Sequence, residues 1–372
     1  MFKKIIVVLL IGLVAWAYQM ARPLPSKICG SPGGPPITAT RIKLRDGRHL
    51  AYQEIGVPKD MTKHKIIFFH GFACSRLDGT ILKPEMAEEL GVHVVSFDRP
   101  GYGESDPDPK RTAKSIAFDA EELADQLGLG SKFYVVGYSM GGQAVWGCLK
   151  YIPHRLAGAT LINPAVNFWW PSFPANLSNE AYYQQFPQDQ WALRVAHYTP
   201  WLTYWWNTQK WFPPFSIIAG NPKFPPQDFE LSSNLPTPQM IKLKFKIPIV
   251  LCLELGNINM LRKLIKRKVI MQQGEFESIH RDMMVTFGSW EFEPVDLQNP
   301  FPDNEGSVHL WQGDEDGLVP VTLQRYIVQR LPWIHYHEVQ GGGHLFAYTD
   351  GFREAIFKTL LGTSNLTVRL VE

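Results

Sequence analysis

Phe133-Tyr134-Val135-Val136-Gly137-Tyr138-Ser139-Met140-Gly141-Gly142 decides how this chain folds. Its first half reads as a buried strand, because β-branched Val135 and Val136 carry no polar group to expose. Its second half reads as a sharp turn that opens a helix from about Gly142 to Tyr151. Gly137 and Gly141 flank Ser139 at two-residue offsets, where a tight strand-to-helix turn leaves no room for a Cβ. The pattern is G-x-S-x-G, which lifts a serine hydroxyl clear of the sheet and aims a helix N-terminus at the same spot. Five residues alone also occur as an ordinary glycine-rich turn, so the reading rests on the surrounding chain.

Outward from this stretch, strands and helices alternate. Lys65–His70, His93–Asp98 and Leu156–Ile162 read as strands, and Ile81–Leu90 and Ser115–Leu127 as helices. Upstream, Arg41–Leu44 and His49–Glu54 flank Asp46-Gly47, a hairpin signal. The alternation predicts an α/β fold with a mostly parallel central sheet and helices on both faces. The rhythm breaks over residues 166–304, rich in Trp, Phe, Tyr and Pro, with helical patches at Met260–Ile270 and Phe276–Phe287. It returns with Val308–Trp311, Val321–Leu331, His335–Val339 and Phe352–Leu361. The expected organisation is a core split into residues 37–165 and 305–372, with a helical cap inserted at 166–304.

The 372 residues suit one α/β domain with an insertion, and a net charge of +2 argues against a dedicated nucleic-acid surface, local patches aside. Cys29, Cys74, Cys148 and Cys252 are dispersed, with no C-x-x-C pair, so neither a metal site nor a cofactor is expected. Lys3 and Lys4 precede an apolar run from Ile5 to Ala17 that extends to Ala21. The run has no polar face, and we read residues 1–21 as an uncleaved signal anchor in preference to a cleaved signal peptide. Residues 22–36 hold five prolines and three glycines and read as a linker holding the domain off the membrane. The expected location is a membrane of the endoplasmic reticulum or secretory pathway, with basic residues on both sides of the run leaving topology open. Two sequons, at Asn176 and Asn365, match chance expectation.

A serine hydroxyl needs a base, and the base needs an orienting acid. Gly341-Gly342-Gly343-His344 follows the last strand and offers the base on a flexible loop. Gly313-Asp314-Glu315-Asp316-Gly317 follows the preceding strand and offers the acid, Asp316 first and Asp314 as the alternative. The oxyanion formed on attack needs preorganised N–H donors. Met140 supplies one just after the serine. Phe72 supplies the other, on the turn after His70-Gly71, where Gly71 permits close approach and His70 serves as a structural hydrogen-bonding residue.

Taken together, His70-Gly71-Phe72, Asp98-Arg99-Pro100-Gly101-Tyr102-Gly103-Glu104-Ser105, Gly137–Gly141, and Gly313–Pro320 with His344 resemble the α/β-hydrolase fold superfamily. The resemblance covers about residues 37–165 and 305–361. It implies a structural role for the Asp98–Ser105 turn. The linker and hairpin also resemble a plant group of membrane-anchored members with largely unassigned substrates. Epoxide hydrolases and haloalkane dehalogenases of the superfamily carry Asp at the elbow, so Ser139 favours ester cleavage through an acyl-enzyme. The expected partners are a hydrophobic small-molecule ester and, through the N-terminal run, a membrane. A ligand receptor on the same fold and an acyltransferase to a non-water acceptor are the alternatives. Seven of the 12 tryptophans fall within residues 169–211, either lining an acyl pocket or packing the cap. The basic stretch Leu261–Ile270 offers either a solvated face or a contact with anionic lipid.

Overall fold

The computed structural model describes residues 2–234 and 268–363. The expected helical patch and basic stretch, up to residue 267, lie outside the described residues, as do Cys252 and the Asn365 sequon. Eight strands form one sheet in the order β1-β2-β4-β3-β5-β6-β7-β8. They are β1 (Thr40–Lys43), β2 (His49–Gly56), β3 (His64–Phe69), β4 (Val92–Phe97), β5 (Phe133–Tyr138), β6 (Leu156–Ile162), β7 (Val308–Gly313) and β8 (Ile334–Val339). β2 pairs antiparallel with β1 and β4, and every other pairing is parallel. The β1–β2 hairpin turns at Gly47, whose φ of +93° suits a residue without a Cβ.

Strand alternation builds two cores. Ile67, Phe69, Val95 and Val135 face one side, and Ile66, Phe68, Val94 and Val136 the other. Helices α3 (Ala113–Leu127) and α4 (Gly142–Tyr151) cover the first face. Helix α2 (Pro84–Glu89) lies over the second. The expected Ile81–Leu90 helix is split: a 3₁₀ turn, Arg76–Ile81, is capped by Ser75, and α2 starts afresh at Pro84. A proline lacks the N–H that would continue the earlier turn and is favoured where a helix begins.

Among the described residues no strand lies between β6 and β7. The chain there forms α5 (Ala175–Tyr183), α6 (Pro187–Tyr198), α7 (Thr203–Thr208), α8 (Ser216–Ala219), α9 (Pro226–Asn234) and α10 (Arg281–Phe287). The core then resumes, with α11 (Val321–Arg330) between β7 and β8 and α12 (Asp350–Leu360) closing the second face.

At the N-terminus, α1 (Phe2–Ala21) is an exposed apolar helix, long and apolar enough over Lys3–Ala21 to cross a membrane. The linker has no regular structure, as its prolines require, yet it does not stand off from the domain. Lys27 N–H donates to the Gln273 carbonyl (2.8 Å), and Cys29 N–H donates to Gln273 Oε1 (3.0 Å). The cap therefore straps the middle of the linker down, a long-range pairing that composition does not encode.

At the β7–β8 edge, His309, His337 and Trp311 stack, with His309 Nδ1 3.0 Å from His337 Nε2. Burial, together with the neighbouring imidazoles, pushes His309 down to about 3 and His337 down to about 4.

Candidate active site

Ser139 sits at the end of β5 with φ of +53°, a left-handed conformation that costs a non-glycine residue about 1–3 kcal/mol. The neighbours make the turn feasible. A Cβ on Gly137 would lie 2.6 Å from the Gly141 carbonyl oxygen, and one on Gly141 2.2 Å from that of Phe69. A Cβ on Gly71 would press on Tyr138 and Ser139 at 3.1–3.3 Å.

The structure brings Ser139, His344 and Asp316 together. His344 Nε2 is 3.0 Å from Ser139 Oγ, and His344 Nδ1 is 2.7 Å from Asp316 Oδ2. Because a carboxylate only accepts, Nδ1 carries the proton and the Nε2 lone pair faces the serine. Asp316 Oδ1 accepts the N–H groups of Leu318 (2.8 Å) and Val319 (3.0 Å), which orients the carboxylate. Asp314 lies two residues earlier, its N–H donating to the Val339 carbonyl. Burial drives the His344 pKa down, but the charge and hydrogen bond of Asp316, aided by the Asp228 charge, hold it above the ordinary histidine value.

His70 accepts the Arg99 N–H on Nε2 (3.0 Å), leaving Nδ1 to donate to the Gly71 carbonyl (2.9 Å). Both ring nitrogens are thus occupied in shaping the turn that carries Phe72. The Asp98 carboxylate accepts the N–H groups of Arg76 and Glu104, closing the Asp98–Ser105 turn on itself.

Sequence reading missed three further groups. Asp228, buried at the start of α9, accepts the backbone N–H groups of His344 (2.6 Å) and Leu345 (2.9 Å). Asn163 Nδ2 (2.7 Å) and Tyr138 Oη (2.9 Å) donate to the His344 carbonyl, and Asn163 Oδ1 accepts from Gly313 N–H. Asp282 of α10 receives both guanidinium arms of Arg99 (2.6–2.7 Å), Arg111 (2.7 Å) and the Tyr102 hydroxyl (2.7 Å). Arg99 also donates to the His70 and Gly71 carbonyls, so a cap carboxylate braces the Phe72 turn. Only Asn163 left a trace in the sequence, as the polar stop after a strand.

In front of Ser139 lies a cavity of about 50 Å³. Phe72 and Met140 line it with Phe168, Leu193, Phe215 and Phe287, and Gln185 and Asp189 add polar edges. None of the seven clustered tryptophans lines it. Trp170 is buried in the cap against Trp290, and Trp169 stacks on His197 (4.3 Å). Trp191, Trp201 and Trp211 are more than half exposed.

Comparison with known proteins fits this picture. A family model for the alpha/beta hydrolase fold matches residues 65–235. The sn-1-specific diacylglycerol lipase ABHD11 of Mus musculus is 32% identical over 84 residues, 23% of this chain and 27% of that protein. Bifunctional epoxide hydrolase 2 of Sus scrofa is 25% identical over 138 residues, 36% of this chain and 22% of that protein. The chain thus spans about a quarter of these curated relatives. Among solved structures, an esterase from Thermogutta terrifontis is similar at TM-score 0.54 and 20% identity, covering 87% of this chain and 99% of that one. The enol-lactonase from Burkholderia xenovorans LB400 is similar at TM-score 0.54 and 14% identity, with the same coverage of both chains. Such identities speak to the fold alone. Family model, sheet topology and structural likeness agree that the chain has the α/β-hydrolase fold.

Proposed function

We propose that this protein is a membrane-associated serine hydrolase that cleaves a carboxylic ester through an acyl-enzyme. The observation that carries the reading is the continuous chain Asp316–His344–Ser139 opening onto an apolar cavity. His344 Nε2 takes the proton as Ser139 Oγ attacks the ester carbonyl, while the N–H groups of Phe72 and Met140 receive the oxyanion. The imidazolium, balanced by Asp316, then protonates the leaving alcohol. Water, deprotonated by the same nitrogen, attacks the acyl-serine and releases the acid and the free serine. Ser139 in place of an elbow aspartate favours this chemistry over epoxide opening, whatever the likeness to an epoxide hydrolase.

The cavity narrows the substrate. A water needs about 10–15 Å³ of such space, so the cavity admits an acyl group of roughly three to five heavy atoms. Its aromatic and aliphatic walls favour an apolar one. The test is labelling by a fluorophosphonate and hydrolysis of p-nitrophenyl esters from acetate to decanoate. We expect labelling that Ser139→Ala abolishes and rates greatest at short acyl lengths. Labelling that survives the substitution overturns the reading, and turnover greatest on long chains overturns the size assignment. Membrane association rests on α1, and sedimentation of the full chain with membranes after alkaline washing tests it.

A further inference from the structure

The tryptophans that do not line the site gather elsewhere. Trp206 stacks on Phe212 (5.3 Å, 3° between planes), and Trp191, Trp205 and Trp211 extend the cluster through ring contacts of 6.0–6.5 Å. Trp191, Trp211 and Phe212 remain half or more exposed, and Trp201 beside them in sequence is 67% exposed. Between Pro187, Trp191, Trp206 and Phe212 runs an open groove of about 400 Å³, lined otherwise by Gln188 and Pro213. Arg194 lies over the Trp191 ring at 5.5 Å. Indole rings with a cation among them suit the headgroup layer of a bilayer, where an apolar body and a polar N–H are both accommodated.

What covers this face is indicated by its neighbour. Helix α1 lies against α7, which carries Trp205 and Trp206. The linker that leaves α1 is strapped to Gln273, three residues before Phe276, whose ring contacts Tyr204 of α7 (6.0 Å). Only residues 22–26 separate the end of the apolar helix from that strap, so the helix end lies near the aromatic face. On the reading that α1 spans a bilayer, its end marks the bilayer surface and the aromatic face lies at that depth.

We infer that the α6–α7 face of the cap is a second membrane contact, seated in the lipid headgroup layer beside α1. Helix α6 links this contact to the site. Trp191 points into the outer groove, while Asp189 and Leu193, one helical turn apart, line the cavity at Ser139. The helix that meets the bilayer is thus also a wall of the reaction chamber, and an apolar ester dissolved in the membrane meets the protein there.

The test uses the full chain in phosphatidylcholine nanodiscs, spin-labelled singly at Leu10→Cys, Trp211→Cys or His154→Cys in a Cys74→Ser, Cys252→Ser background. Cys29 and Cys148 are buried, and His154 lies at the opposite end of the sheet, before β6. Accessibility to oxygen and to a nickel chelate reports depth. The expected result is position 10 in hydrocarbon, position 154 in water, and position 211 at headgroup depth with severalfold less nickel contact than 154. Position 211 as open as 154, with position 10 buried, overturns this inference and leaves the anchor standing. Positions 10 and 211 both in water overturn the anchor as well. Dipolar broadening between labels at 211 assigns the face to a second copy and overturns the membrane contact. As a check without labels, brominated lipid should quench less of the native fluorescence in Trp201→Tyr/Trp211→Tyr than in wild type. Equal quenching assigns the signal to Trp16 of α1 and overturns the inference.

Discussion

Two carboxylates hold His344, one from each region of the molecule. Asp316, on the core loop after β7, bonds the imidazole. Asp228, on the cap helix α9, bonds the backbone on either side of it. The core carboxylate sets the ring's tautomer and stabilises its charged form. The cap carboxylate sets where the loop stands and adds negative charge behind it. On the proposed reading, the core supplies the reacting groups and the cap fixes where they stand. A cap that shifts by an ångström moves the base relative to Ser139.

The comparison breaks first at Asp316. Asp316→Asn should lower kcat about 10⁴-fold, because an amide at that position selects the wrong imidazole tautomer. Steady-state ester hydrolysis reads this, with unchanged folding verified by circular dichroism. If Asp314 were the acid instead, Asp316→Asn would retain most activity and Asp314→Asn would not.

Next comes the joint between cap and core. Asp282→Ala leaves Arg99 and Arg111 buried with no carboxylate between them, and should cost about 3–5 kcal/mol of stability in a denaturant titration. The brace on the Phe72 turn goes with it. A midpoint that does not move would show that water reaches the two guanidinium groups and that the joint is not closed.

Asp228→Asn sharpens the contrast. An amide retains one acceptor and turns its NH₂ toward a backbone N–H, so one charge-assisted bond is lost. A loss of about 1.5–3 kcal/mol in transition-state positioning corresponds to roughly a 10- to 150-fold drop in kcat/KM. The pH profile separates this from general damage. Asp228 raises the His344 pKa, so its neutralisation should move the acid limb of kcat/KM to lower pH. A drop in rate with an unmoved limb would leave Asp228 a purely structural clamp.

The smallest effect at neutral pH is expected far from the cap, at the β7–β8 histidine stack. Unfolded histidines titrate near 6.5, whereas His309 and His337 resist protonation until about 3 and about 4. Between those values the unfolded chain binds more protons. The contribution is therefore complete above pH 6.5 and falls as pH is lowered, by about 1.4 kcal/mol per unit for each residue, until the folded pKa is reached. Thermal denaturation of wild type and His309→Gln from pH 7 to pH 4 reads the slope, which should be shallower in the variant.

What the sequence made legible follows the same division. Gly137, Gly141 and Ser139 could be read because a strand-to-helix turn imposes its demands within five residues. Asp316 and His344 could be placed because each sits on a loop directly after a strand, and a parallel sheet delivers all such loops to one edge. Asp228 could not, because its partner is 116 positions away and no spacing connects a cap helix to a core loop. The tryptophans announced an aromatic insertion but not its inside and outside, since ring orientation follows from how short helices pack. Composition gave the linker its lack of regular structure, but its docking on Gln273 is a matter of tertiary contact.

The site's split between two parts of the chain has a consequence for synthesis. Ser139 and the Phe72 turn leave the ribosome with β3 and β5, well before the cap and long before the strands that precede Asp316 and His344. On the proposed reading, a nascent chain at that stage holds the nucleophile without its base or acid, and Asp228 precedes the loop it clamps. On that reading, activity requires β7 and β8 to join the sheet edge, where His344 lies between the two carboxylates. A chain stalled or cleaved before β7 has, on the proposed reading, neither acid nor base and is inactive.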